Sequence, residues 1–457
     1  MQDLYLVSYS VKGIKTLDEL ITLSFYKKVI SNDPDTQEYN VKGIYGMNGS
    51  GKSGIVTSVN ILRNLLVNPG YLNNPIAQKN LDEIINKKIG ELFIEAEYIN
   101  KSANELMFFR YRVTVSKDNS GKYVISQEEL SSKRAVSKSS SMETIFKIID
   151  GEIVAIKENG ENALAELILA KTTNLLSAAS MCALFFTKVL GILLESDINW
   201  KNALIDNLAW LRFFGKKLHV YLDESDDHRD YLIYNSFGYL DDLEKKDSKR
   251  NDLLRHFFEM DSEQLVAISV ARNVVGKSMF ESFARMTDQL CEFIQIFKPD
   301  LQRIDIDKKE DQNVYVCNLV MVYESYRIDA EFESTGIKKL IRLFVYLREM
   351  VQGGIVFIDE FDSNLHDVYL CGLLEYLMEY GKGQLCFTTH NVGPMDILKH
   401  HKKSIDFLSV DHKIYPWRAN GNYSPSKLYR NGMIEGSPFN VDSIDFIGVF
   451  GSQEEEH

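Results

Sequence analysis

The sequence predicts an α/β fold: a parallel sheet carrying a glycine-rich loop, an antiparallel layer against it, and a mostly helical insertion. Three observations carry that expectation. The loop GMNGSGKS (46–53) stands between a short apolar run and a helical pattern. IVFIDE (355–360) and LCFTTHN (385–391) are continuous apolar runs, the character of strands buried on both faces. Segments in both halves of the chain alternate apolar and polar residues, as half-buried antiparallel strands do.

In chain order, residues 4–30 alternate around Gly13 and suggest a hairpin or two neighbouring strands, followed by the turn-rich loop SNDPDTQE (31–38). VKGIYG (41–46) is a short apolar strand, and Ile55, Val59, Ile61, Leu62 and Leu65 then fall mostly at helical spacing. LFIEAEYI (92–99), MFFRYRVTVS (107–116) and KYVISQEEL (122–130) read as strands of the antiparallel layer. The Ser/Lys-rich segment KRAVSKSSSMETIF (133–146) reads as a loop. From about 160 to 297 the pattern is mostly helical, with a polar stretch at 222–253 that reads as a solvated helix face or loop. RIDID (303–307) and residues 314–332 alternate again; the helix KKLIRLFVYLREMV (338–351) then stops at Gly353 and Gly354. The domain reading is an N-terminal half at 1–150, a helical insertion at 151–300, and a C-terminal half at 301–457.

Composition narrows the function classes. An apolar fraction of 45% is ample for a core, and the formal charge of −13 argues against general affinity for phosphate backbones, which takes a Lys/Arg surplus. Cys182, Cys291, Cys317, Cys371 and Cys386 are scattered, which disfavours zinc and fits reduced core residues in a cytoplasmic protein. The N-terminal MQDLYLVSYSVKGIK lacks a basic-then-apolar leader pattern. Leu175–Leu194 is the longest apolar stretch, but Thr187 and Lys188 interrupt it, so a buried helix is expected rather than a membrane span.

GMNGSGKS satisfies GxxxxGK[ST] in strand–loop–helix context. Gly46, Gly49 and Gly51 let the backbone N–H groups beside Asn48 and Ser50 turn inward around phosphate oxygens, and the helix N-terminus adds donors and a favourable dipole. Lys52 is placed to reach the β/γ phosphates of ATP, and the Ser53 hydroxyl to ligate Mg²⁺. A second GKS at Gly276–Ser278 lacks the upstream glycine, Ala271 standing there, and lies in helical context. Asp359 and Glu360 close the IVFIDE strand; there Asp359 can hold Mg²⁺ through water and Glu360 can polarise the attacking water, or the pair simply caps the next helix. Ser334, Thr335 and Gly336 open the helix before that strand, as a second anion site or as an ordinary N-cap. His390 ends its strand, placed to contact the γ-phosphate or to stand as a surface histidine.

The order GMNGSGKS, ESTGIKKL (333–340), IVFIDEFDSNLH (355–366), FTTHN (387–391) resembles the ABC-type ATPases of the SMC and OLD groups, in particular bacterial OLD-like ATP/GTP phosphatases. That resemblance implies an ABC-type P-loop nucleotide-binding domain with Ser334–Lys338 as signature element, Ser363–His366 as D-loop and His390 as switch histidine. It also implies ATP sandwiched between one protomer's P-loop and the partner's signature. STGIK stands in place of the commoner SGGQ, and His366 where many relatives carry Asp. Gln78 and Gln127 are candidates for a Q-loop glutamine. Only 67 residues (457 − 390) follow His390, fewer than the Toprim nuclease of some OLD-like relatives. The expectation is therefore a nuclease-less regulatory ATPase, similar to the sensor ATPases of two-component antiphage systems such as PARIS or Septu. It would act as a homodimer or higher homo-oligomer, holding a separate nuclease or toxin effector until a phage protein triggers release, with no membrane partner. The alternative is an SMC-like DNA-clamping ATPase of repair or recombination; nucleic-acid binding stays open. The aromatic, turn-rich tail after Tyr415 reads equally as a docking surface or a packed extension.

Overall fold

The computed structural model describes residues 4–102, 105–136, 141–157, 162–195, 203–222, 268–312, 314–418 and 423–437. The polar stretch lies, from residue 223 on, outside these residues, as does the tail beyond residue 437.

Three sheets organise the described residues. The first is antiparallel with order β2-β1-β4-β5-β6-β7-β8: β1 Leu4–Lys12, β2 Ile21–Ser24, β4 Glu91–Ser102, β5 Glu105–Lys117, β6 Tyr123–Arg134, β7 Glu143–Ile149 and β8 Glu152–Ile156. The start of the chain is thus a hairpin, β1 pairing β2 with Val11 opposite Ile21. On β4 and β5 the in-facing residues Ile94, Ala96, Tyr98, Phe109, Tyr111 and Val113 are buried. The other face sets Glu95 opposite Arg112 and Glu97 opposite Arg110, closed by ion pairs of 2.6 Å each. Such half-exposed pairs favour this register more than they stabilise the fold. The segment read as a Ser/Lys-rich loop is shorter than expected, because β6 runs to Arg134 and β7 already starts at Glu143.

The second sheet is the core, with order β17-β16-β3-β15-β14-β9. It comprises β3 Val41–Tyr45, β9 Leu218–Tyr221, β14 Ile355–Ile358, β15 Gln384–Thr388, β16 Ile405–Leu408 and β17 Ile414–Pro416. All neighbours pair in parallel except β16 with β17. Every residue of β3, β14, β15 and β16 is buried, which explains their mostly apolar sequences, and the buried charges Lys42 on β3 and Asp406 on β16 pair with each other at 2.7 Å. Helix α1 (Lys52–Val67) and the antiparallel layer cover one side: Tyr9 and Phe25 pack on Phe357, and the Tyr9 hydroxyl meets Ser58 at 2.7 Å. Helices α8 (Thr335–Val351), α9 (Asp367–Tyr380) and α10 (Gly393–Leu398) cover the other through Leu343, Leu347, Leu374, Leu377 and Leu398.

Between α1 and β9 the chain forms α2 (Pro75–Ile84), α3 (Asn162–Thr172), α4 (Met181–Leu184), a π-helical turn (Phe185–Val189), α5 (Leu190–Glu195) and α6 (Ala203–Lys217). The apolar stretch from Leu175 is thus partly helical, and no helix among the described residues is long and apolar enough to cross a membrane. The third, small sheet, β10 (Asn273–Gly276), β12 (Val314–Tyr323), β11 (Leu301–Asp311) and β13 (Arg327–Asp329), packs with α7 (Phe280–Phe297) and α8 around Phe283, Leu290, Leu319 and Ile341. The boundaries expected for a helical insertion at 151–300 need correction: β8, β9 and β10 all fall inside it, and β9 is the edge strand of the core sheet. LHVY is four residues long with no alternation to announce a strand, and only pairing with β14 makes it one. A last short helix, α11 (Pro425–Arg430), packs Tyr429 on Phe407 of the core, so the tail is packed at least this far.

Candidate functional site

β3, β15 and β14 lie side by side in that order, all parallel, so the residues following their C-terminal ends share one edge of the sheet. Those residues are Gly46, His390 and Asp359, and this edge is where α/β sheets bind ligands. Loop 46–53 leaves β3 and enters α1 at Lys52. Gly51 caps that helix with a left-handed backbone (φ +104°), and an added Cβ there would stand 2.3 Å from Leu17. Only glycine fits both demands. No side chain among the described residues caps this helix end, which leaves its first N–H groups available to an anion.

Lys52 is buried and folded onto its own loop, donating to the carbonyls of Gly46 (2.7 Å) and Met47 (3.0 Å). Burial pulls its pKa from 10.5 to about 8, against the opposing pull of Asp359, Glu360 and Asp362. The Ser50 hydroxyl is buried with no hydrogen-bond partner among the described residues. An orphaned hydroxyl beside a buried ammonium and uncapped N–H groups fits a bound phosphate, which would satisfy all three. Asn48 and Gly49 are exposed at the lip of the loop, and Ser53 is half-buried in the first turn of α1.

Asp359 is only 2% exposed and accepts a 2.5 Å hydrogen bond from Thr388 Oγ1, which in turn accepts from the Glu360 N–H at 2.9 Å. One hydroxyl thus links the buried acid to the exposed one. Glu360 has a left-handed backbone, φ +47°, unusual for a non-glycine residue. His390 is exposed; partial burial, then the Lys52 charge, hold its pKa below the usual value, with Asp362 and Asp359 opposing. The structure therefore brings Lys52, Asp359, Glu360 and His390 into one electrostatic neighbourhood.

Ser334 and Thr335 are exposed at the head of α8, and the Ser334 hydroxyl caps the helix weakly, accepting from Ile337 N at 3.4 Å. Gly336 lies against the loop 363–366, where an added Cβ would approach Asn364 O to 2.8 Å. His366 caps α9 through Nδ1, accepting from Val368 N at 3.4 Å, a task that aspartate also performs. Asn391 joins the segment after His390 to α9, donating to Asp367 at 2.8 Å. Gln78 is a structural staple: its amide nitrogen donates to Leu72 O and Tyr123 O, and its oxygen accepts from Tyr123 N. Gln127 sits within β6, paired with Thr114 and Ile149. Sequence reading missed two residues. Thr388 left a weak signal, a hydroxyl two positions before His390; Lys339 left none, since a lysine in an amphipathic helix reads as solvated.

Residues 191–396 match the family model described as "AAA domain, putative AbiEii toxin, Type IV TA system". The match takes in Ser334–Gly336, Asp359, Glu360 and His390, while loop 46–53 lies outside it and rests on its own geometry. No curated protein matches the sequence. One similar solved structure, described as the recombination mediator protein RecF-ATPrS in the RecFOR pathway, covers 91% of this chain and 99% of its own, with 14% identity and a TM-score of 0.39. With the loop geometry and the family match together, the chain is similar to P-loop ATPases of the AAA kind.

Proposed function

We propose that this protein is a regulatory, Mg²⁺-dependent ATPase that closes as a dimer around two ATP molecules, each held between the P-loop of one protomer and Ser334–Gly336 of the other. The observation that carries the reading is the exposed head of α8: Ser334 and Thr335 face solvent two residues beyond Phe332 (69% exposed), and Val368 (70% exposed) follows the 363–366 loop that Gly336 abuts. Large apolar side chains around an uncovered helix N-terminus favour a surface that a second copy covers. Lys52, Ser50 and the N–H groups of α1 bind the phosphates; Ser53 and Asp359 would hold Mg²⁺, which offsets charge developing on the transferred phosphoryl group. Glu360 accepts the proton of the attacking water, and His390 orients toward the γ-phosphate. ATP then biases a two-state assembly toward the closed form, and hydrolysis releases it.

Mixing tests the composite site. Lys52→Ala and Ser334→Arg should each silence the homodimer, the first by losing phosphate binding and the second by blocking the facing site. In a mixed dimer both lesions fall on one site, and the other joins an intact P-loop to an intact signature. Mixing two inactive proteins should therefore restore part of the ATPase activity, measured as phosphate release. No recovery, with mass measurements confirming mixed dimers and an ATP-dependent cross-link between cysteines at Ser50 and Thr335 absent, would rule out the arrangement.

For the biological role, the proposal is sensing in antiphage defence, with a separate nuclease or toxin held and released by the ATPase. The matched family model's description as a putative AbiEii toxin of a type IV toxin–antitoxin system supports a function paired with a second gene product. Cells carrying the chain with its neighbouring genes should plate phage poorly, and Lys52→Ala should restore plaques. Equal plaque counts across a broad phage panel would count against defence and favour DNA clamping.

A further inference from the structure

Lys339 lies one and a half turns beyond the Ser334 cap on α8 and is only 3% exposed. Its ammonium donates to the Glu360 carbonyl at 2.6 Å and to the Ser363 hydroxyl, and stands 5.3 Å from the centre of the Tyr221 ring. A buried ammonium is costly unless its partners hold it, so these contacts define its position as much as it defines theirs.

The partner that matters is Glu360. Its left-handed backbone is strained for a non-glycine residue and persists only where the surroundings impose it. Here it is clamped at both ends, its N–H by Thr388 and its carbonyl by Lys339. The same helix meets the same loop a second time at its head, where Gly336 and the Asn364 carbonyl are too close for any side chain. Helix α8 therefore cannot slide or tilt without displacing the Glu360 carbonyl and Ser363. The exposed end of α8 and the acid that ends the core strand form one mechanical unit.

We propose that Lys339 is a positioning residue that converts the seating of the α8 head into the orientation of Glu360 in the same protomer. This rests on the reading above, in which Glu360 activates water and the α8 head meets the second copy's ATP. Engagement of one composite site then sets the acid belonging to the other, which couples the two sites through three side chains: Lys339, Ser363 and Thr388.

Lys339→Met in the full chain keeps most of the side-chain volume and removes the donor. It should lower kcat about 10- to 100-fold, the scale of a small misplacement near the reacting atoms. KM and nucleotide affinity should change less than about twofold, because the P-loop is untouched. Lys339→Arg should recover part of kcat. On a Glu360→Gln background, Lys339→Met should lower the residual rate by no more than about twofold, since a residue acting through Glu360 has nothing left to act on. Turnover of Lys339→Met within twofold of wild type overturns the proposal, and so do equal fold losses on both backgrounds. If Lys339→Met does not fold, Ser363→Ala removes the bond to the Ser363 hydroxyl and leaves that to the Glu360 carbonyl; it should show a smaller kcat loss with the same non-additivity, and an additive loss overturns the link. Glu360→Gln at wild-type turnover would sink the assignment of the base whatever Lys339 does. An inactive Glu360→Gln beside a fully active Lys339→Met would sink only the link.

Discussion

Lys52→Ala should abolish tight nucleotide binding while leaving the fold intact. In the free protein the ammonium is held by two carbonyls of its own loop, Gly46 and Met47, and is drawn on by Asp359, Glu360 and Asp362. Facing phosphates, it would exchange those neutral acceptors for charged ones. Two charge-assisted bonds at about 1.5–3 kcal/mol each give on the order of 10²- to 10⁴-fold in Kd. The apolar face of α1, through Ile55, Val59, Leu62 and Leu65, is untouched, so the melting temperature without nucleotide should stay close to wild type. Calorimetric titration measures the affinity, and unchanged Kd in a folded Lys52→Ala protein would mean that the loop does not hold phosphate.

The same residue makes binding depend on pH. With the free-state pKa lowered to about 8, Lys52 is largely uncharged above that value, whereas in an unfolded chain it stays charged to 10.5. Between those limits the unfolded state binds more protons, so this group makes folding of the free protein more favourable as pH rises. Bound phosphates favour the charged form, so binding in that window takes up a proton and affinity falls as pH rises, by up to about tenfold per unit. Below about 8 the dependence from Lys52 fades. Titrations above that pH in buffers of different ionisation enthalpy should show proton uptake that disappears in Lys52→Ala.

How much of this was legible beforehand follows from what each feature rests on. Loop 46–53 and the strands 355–360 and 385–391 are local patterns: glycines at fixed spacing and apolar runs too long to be exposed. The structure keeps them where the sequence implied, on neighbouring parallel strands. β9 was illegible because four residues without periodicity become a strand only through a partner 137 positions away, Leu218 beside Ile355 (355 − 218). Lys339 was hidden for a related reason. Position 339 on an amphipathic helix predicts a partly solvated amine, and only the returning loop after Glu360 encloses it. Thr388 is intermediate: the TTH order is visible, but its bond to Asp359 depends on β15 lying next to β14. Pairwise chemistry across strands is what a single sequence withholds.

Glu360→Gln should separate binding from chemistry. Its carboxylate is exposed at the sheet edge that bears the phosphate loop, whereas Asp359 is buried and hydrogen-bonded to Thr388. The buried acid suits a fixed metal-holding role, and the exposed one can reach a water attacking from solvent. Glutamine preserves the size and the backbone, so the bond that the N–H of residue 360 donates to Thr388 and the one its carbonyl accepts from Lys339 are retained. What is lost is the basic oxygen. Positioned acid–base catalysis is worth about 10²- to 10⁴-fold, so phosphate release under single-turnover conditions should slow by about 10²-fold or more, a barrier increase of roughly 2.7 kcal/mol at least. Nucleotide affinity should hold, because Lys52, Ser53 and Asp359 are unchanged. With binding intact and hydrolysis slowed, the closed ATP-bound dimer should accumulate and be resolved by mass from the open form. The competing base is His390, whose lowered pKa keeps it neutral and proton-accepting near pH 7. If Glu360→Gln turns over within a few-fold of wild type while His390→Ala does not, the imidazole takes the proton and Glu360 is left as a structural acid at the end of its strand.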